Sequence, residues 1–272
     1  LLASSAASDV YKRQKLKGDW VLSRIYAIIT QKGGVGKTTT VNALASSFSK
    51  RGFRVLAVDM DPQGNLSFST GADSGSPTIF DAITGSVRVQ RCIQKKSMTD
   101  IIPSNILLTG AELEFTGQNR EFILKNVLQV IENDYDYIFI DSPPGLGFLT
   151  VNALSASQYV ILPMLPDIFS LQGLVQVYET IEYVKKACNP DLEVAGILIN
   201  KYNRLSKLHR ESVGTAKMVA ENFKIPIFKT YIRNSAALSE AQSLQCSIFE
   251  YAPKTAGVRD YLKLSNEILN YN

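Results

Sequence analysis

The chain is poor in the residues that build disulfide frameworks and metal centres: its 272 residues include three cysteines, Cys92, Cys188 and Cys246, and one histidine, His209. The cysteines are far apart with no C-x-x-C, and His209 has no companion ligands nearby in sequence, which argues against a disulfide scaffold and against a zinc site. No run approaches the roughly eighteen uncharged apolar residues of a membrane span, and the N-terminus lacks the charged-then-apolar layout of a secretory signal. A soluble, cytoplasmic protein is expected. A large net charge is also missing, the total being +4, but the charge is unevenly placed. From Lys201 to Arg233 eight bases face two acids, so this stretch carries +6 and the rest of the chain −2. Such an excess is either a solvated face or an electrostatic footprint for nucleic acid.

A chain of this length that is 45% hydrophobic has enough apolar material for one large α/β domain, assigned here to residues 15–272. The Ser/Ala-rich start LLASSAASDVYKRQ (1–14) has no periodicity and resembles a translated library adapter, so it is expected to be a non-native or disordered tail. Short, nearly continuous apolar runs at 24–30, 54–61, 135–142, 159–165 and 193–200 read as buried strands. Helical spacing occupies 37–50, 118–133, 148–156, 170–187, 207–222 and 254–270. Strand and helix alternate, so the expectation is a P-loop NTPase domain with a mostly parallel central sheet and helices on both faces. Its ligand should lie beyond the carboxyl ends of the strands.

That edge carries the chemistry. KGGVGKTTT (32–40) follows the first strand and opens a helix, although Gln31 stands where the G-x-x-x-x-G-K-[ST] pattern has glycine. Gly33, Gly34, Val35 and Gly36 would turn backbone N–H groups toward phosphate, helped by the positive end of the following helix. Lys37 would contact the β- and γ-phosphates, Thr38 would ligate Mg2+ and Thr39 would touch the α-phosphate. The second strand ends in VDMDPQGN. Asp61 there is placed to orient a water and to share the metal site with Thr38, while Asp59, nearer the strand body, is expected in the metal's outer shell. YIFIDSPPG delivers Asp141 to the same edge as the second metal carboxylate.

KGGVGKTT, VDMDPQGN and FIDSPPGLG, in this order, resemble the deviant Walker-A ATPases of the ParA/MinD superfamily, and most closely the Soj-like ParA partition ATPases. The similarity runs from about 24 to about 270 and includes YIRNSAALSEAQSLQCSIFEYAPKTAG. The resemblance implies that Lys32 is the signature lysine, which crosses an ATP sandwich dimer to the partner's phosphates. It implies ATP and Mg2+ as cofactors, hydrolysis stimulated by a ParB-like protein, nucleoid association, and Asn200 as an adenine contact. It also implies non-specific DNA binding, through Arg233 foremost and through Arg204, Lys207 and Arg210. The chain end DYLKLSNEILNYN lacks the basic membrane helix of MinD-like proteins, and no membrane partner is expected. An ATPase that positions another cargo, or a MinD-like adaptor for a membrane or protein partner, is the alternative reading.

Overall fold

The computed structural model describes residues 23–271, so the expectation for the 1–14 tail lies outside the described residues. Six strands, β1 (Arg24–Ile28), β2 (Val55–Asp59), β3 (Asp100–Ile102), β4 (Tyr137–Asp141), β5 (Tyr159–Met164) and β6 (Glu193–Ile199), form one sheet in the order β3-β2-β4-β1-β5-β6. Every neighbouring pair is parallel. Alternate residues of each strand enter opposite cores: Ile25 and Ala27 of β1 face one, Tyr26 and Ile28 the other. Both faces are covered, and that is why the strands read as unbroken apolar runs.

Helices α1 (Lys37–Lys50), α2 (Ile123–Gln129), α3 (Phe148–Ala156), α4 (Ile168–Ala187), α5 (Lys207–Phe223), α6 (Ala236–Ser243) and α7 (Ala256–Leu269) supply those cores. Leu128 of α2, Leu154 of α3, Ile181 of α4 and Val213 of α5 fill one side; Leu44 of α1, Leu238 of α6 and Tyr261 of α7 fill the other. Helix α1 is pinned to the sheet by Phe48, whose ring lies 4.5 Å from Tyr137 and 5.3 Å from Phe139. Aromatic pairs of this kind add to the burial of their own area, so the helix that follows the glycine loop has a fixed seat. The chain leaves β1 for β2 on one side and later places β5 on the other, with β4 filling the gap. The carboxyl end of β1 therefore opens onto the crevice where such sheets bind ligands.

Strand β3 carries no periodic signal because it is only three residues long, at the sheet edge and before Pro103. The helical pattern at 118–133 resolves into α2 flanked by short turns at Arg120–Phe122 and Glu132–Asp134. No helix among the described residues is long and apolar enough to cross a membrane.

Candidate nucleotide-binding site

Between β1 and α1 the backbone turns through Gly34 at φ +71° and Gly36 at φ +101°, the latter being the residue before α1. Both angles lie in the left-handed region that glycine adopts without a Cβ penalty. A Cβ at Gly36 would also stand 3.1 Å from Nδ2 of Asn200. No acidic side chain occupies the first turn of α1, so its free N–H groups and positive dipole end are open to an anion. A Gly36→Ala variant is expected to weaken ATP by about 10-fold or more, from left-handed strain of ~1–3 kcal/mol and the displaced Asn200. Titration with a fluorescent ATP analogue checks this; unchanged affinity would contradict the loop geometry.

Two carboxylates at the ends of β2 and β4, Asp59 and Asp141, sit side by side in register and are both fully buried. Thr38 Oγ1 donates to Asp141 Oδ2 at 2.6 Å, while Asp141 Oδ1 is buried with no hydrogen-bond partner. Burial, followed by the neighbouring Asp59 charge, pushes the Asp141 carboxyl well above the ordinary carboxylate range. A hydroxyl and a partnerless carboxylate oxygen beside a phosphate loop suit Mg2+, which takes one or two carboxylates and leaves other positions to phosphate and water. Among the described residues no cluster of three or more His, Cys, Asp or Glu could hold a metal unaided.

Asp59, expected in the metal's outer shell, also braces the turn that carries Asp61. Its Oδ1 accepts from the Asp61 N–H at 3.1 Å, and its Oδ2 accepts from the Ser67 N–H at 2.8 Å and the Ser67 hydroxyl at 2.6 Å. The Ser67 oxygen in turn accepts from the Ser104 N–H at 2.8 Å. Asp59 thus ties the turn carrying Asp61 to the end of β3, and burial pushes its pKa to about 6 despite those bonds. Lys37 is buried beside Asp141 and Asp61; burial lowers its pKa, and the two carboxylates work against that shift.

The loop from Gly33 to Thr39, with Asp61, Asn200, Lys201 and Arg233, lines one cleft of about 550 Å³. This is the size of a small-molecule site. Most of the residues singled out in the sequence are therefore brought together. Lys32 is not among them: its Nζ lies 2.8 Å from Asp167 Oδ2 and over the Phe169 ring. Partial burial opposes ionisation of Asp167, but hydrogen bonds from Lys32 and Ser170 outweigh it and hold that carboxyl below its usual range. Thr39 Oγ1 reaches Gln242 Oε1 of α6 at 3.2 Å. Arg233 is at the cleft edge with its guanidinium bidentate on buried Asp260, at 2.9 and 2.7 Å, and this bond raises its pKa further. Arg204, Lys207 and Arg210 are exposed on the neighbouring turn and the start of α5. Lys201 carried no separate signal in the sequence beyond its place in the basic stretch.

A family model described as an AAA domain matches residues 23–194. The chain is 38% identical over 258 residues to the chromosome partitioning protein ParA of Myxococcus xanthus, covering 93% of this chain and 90% of that protein. It is 37% identical over 252 residues to the sporulation initiation inhibitor protein Soj of Bacillus subtilis, covering 91% and 98%. Among solved structures, cobyrinic acid a,c-diamide synthase from Mycobacterium smegmatis with bound ATP analog and magnesium superposes with a TM-score of 0.82 at 31% identity, covering 92% and 95%. The cell division ATPase MinD of Pyrococcus furiosus gives 0.76 at 26% identity, covering 92% and 100%. The parallel sheet, the phosphate loop with its buried aspartates and these similarities make the chain a member of the ParA/Soj group of P-loop ATPases, which works with ATP and Mg2+.

Proposed function

We propose that this ATPase forms a sandwich dimer on binding ATP, holds DNA without sequence preference, and hydrolyses ATP when a ParB-like protein stimulates it. Plasmid or chromosome copies are thereby moved apart in the cytoplasm, on the nucleoid. The observation that carries the reading is Lys32: a loop lysine that pairs with Asp167 and does not line its own cleft is free to serve a partner's phosphates. The names of the curated relatives, chromosome partitioning among them, support the same biology.

In this reading water attacks the γ-phosphorus in line, the bond to the β,γ-bridging oxygen breaks, and ADP and phosphate leave. Lys37 and the loop amides bind the β- and γ-phosphates, and Lys32 of the partner subunit adds charge as the bond breaks. Asp61, at the cleft wall, orients the water and accepts its hydrogen bond. Thr38 and Asp141, with Asp61 beyond them, would hold Mg2+, which neutralises charge on the phosphates. Thr39 binds the α-phosphate. The partnerless buried Oδ1 of Asn200 is the acceptor that an adenine amino group needs.

For DNA, Arg204 and Arg210, exposed and in no ion pair among the described residues, and Lys207, in an exposed pair with Glu211 at 3.7 Å, are freer than Arg233, which is bidentate on buried Asp260. Replacing the three with alanine is expected to abolish ATP-dependent retention of non-specific duplex. Three phosphate contacts correspond to roughly a 40-fold loss of affinity between about 50 mM and 200 mM salt. Arg233→Ala should weaken retention and also lower the melting temperature, because it strands a buried carboxylate. Retention in ATP, ADP and no nucleotide at the two salt concentrations tests the reading. ATP hydrolysis without DNA retention under any condition would overturn the partition role and favour a membrane or protein cargo.

A further inference from the structure

The turn that follows β6 grips the phosphate loop at two successive peptide groups. Asn200 Nδ2 donates to the Val35 carbonyl at 3.0 Å, and Lys201 Nζ donates to the Gly34 carbonyl at 2.9 Å. In a trans peptide unit the carbonyl and the following N–H point in opposite directions. Holding these two carbonyls toward Asn200 and Lys201 therefore turns the Val35 and Gly36 N–H groups the other way. The turn itself is anchored, because Asn200 N–H donates to Met164 O at 2.8 Å and Tyr202 N–H to Ile232 O at 2.9 Å. Lys201, between them, has φ +53°. A side-chain-bearing residue keeps that left-handed conformation where its surroundings over-determine it. Lys201 lines the cleft and, among the described residues, makes no ion pair, so its charge is unmatched.

We propose that Lys201 is a positioning residue for nucleotide binding: with Asn200 it fixes the peptide planes of the phosphate loop before the ligand arrives, and it adds a positive charge at the cleft edge. The role concerns phosphate and not the base. It is independent of the dimer and of DNA, and rests only on the phosphate loop. Fixing donors in advance removes an ordering cost that each binding event would otherwise bear.

The test compares Lys201→Met, which keeps the stem but removes donor and charge, with Lys201→Arg, which keeps both. Affinities are measured for an ATP analogue and, by competition, for inorganic tripolyphosphate, which has neither base nor ribose. Lys201→Met should weaken both by the same factor, roughly 10- to 100-fold, the size of one charge-assisted hydrogen bond. In steady state the loss should appear in KM and not in kcat, as for an interaction made equally before and at the transition state. Lys201→Arg should recover most of it, and the melting temperature of both variants should match the wild type. Three results would overturn the proposal: unchanged affinity for tripolyphosphate in Lys201→Met, a loss confined to the ATP analogue, or an arginine variant as weak as the methionine one.

Discussion

Asp141→Asn is expected to abolish Mg2+-dependent ATP hydrolysis and, in the nucleotide-free protein, to raise the melting temperature. The two effects have one cause. Asp141 is a fully buried carboxylate next to another, Asp59, and one of its oxygens has no partner. Burial and the Asp59 charge both disfavour its ionised form. An asparagine has the same shape, carries no charge, and still offers an oxygen to the Thr38 hydroxyl. Relief of one buried, poorly compensated charge is worth about 1–3 kcal/mol. For a domain of this size each kcal/mol moves the midpoint by roughly 2–4 °C. The sign of the pH dependence follows from the raised value. The folded state holds the Asp141 proton more tightly than the unfolded chain does, so wild-type stability from this group declines as pH rises above the ordinary carboxylate range. The advantage of the asparagine variant should therefore be larger at pH 8 than at pH 5. With Mg-ATP the order inverts, since the wild type gains ligand-linked stability that the variant lacks. Calorimetry at two pH values, with phosphate release alongside, checks both halves; a variant that melts below the wild type at neutral pH would contradict the account.

Lys32→Ala is expected to lower turnover by about 10³-fold, the scale of a charge supplied in trans during phosphoryl transfer, while leaving ADP binding near wild type. In the described chain Lys32 is held by Asp167 at 2.8 Å, with both side chains about a third exposed. A pair that open to solvent is worth at most ~1 kcal/mol, so it can be exchanged for phosphate at little cost. Asp167 does not depend on the pair for its place: its Oδ1 caps α4 by accepting from the Ser170 N–H at 2.8 Å. Loss of Lys32 should consequently leave α4 and the melting temperature nearly unchanged. Equal loss of ADP affinity and turnover would instead place Lys32 in its own cleft.

Much of the site was legible because its residues lie at the ends of long apolar strands. The run YIFID ends in a carboxylate, and the structure brings that carboxylate to the Thr38 hydroxyl 103 positions earlier. The glycine loop was equally plain, since strand, loop and helix follow one another directly. What stayed hidden depends on contacts between distant segments. That Asp59 also braces Ser67 and the Asp61 turn follows from how the short helix Asn65–Ser69 folds back over β2. Arg233 is neutralised by Asp260 of α7 and Lys207 is paired with Glu211 at the surface, while Arg204 and Arg210 make no ion pair among the described residues, so a basic run that looks uniform is not. Lys201 reaches back to Gly34 from a left-handed turn, and no periodicity predicts such a conformation in a lysine. β3 was invisible for a simpler reason: three residues cannot display a period of two.

The most direct test of the central claim is a subunit-mixing experiment. Lys32→Ala keeps Asp61 in its own cleft, and Asp61→Ala keeps a Lys32 to lend. Each alone should be inactive. If Lys32 acts across the dimer, a 1:1 mixture should recover about a quarter of wild-type ATP turnover, because half of randomly formed dimers are mixed and each has one complete site. If the mixture stays as inactive as its parts while gel filtration shows that mixed dimers form, Lys32 serves its own cleft and the sandwich-dimer account is wrong.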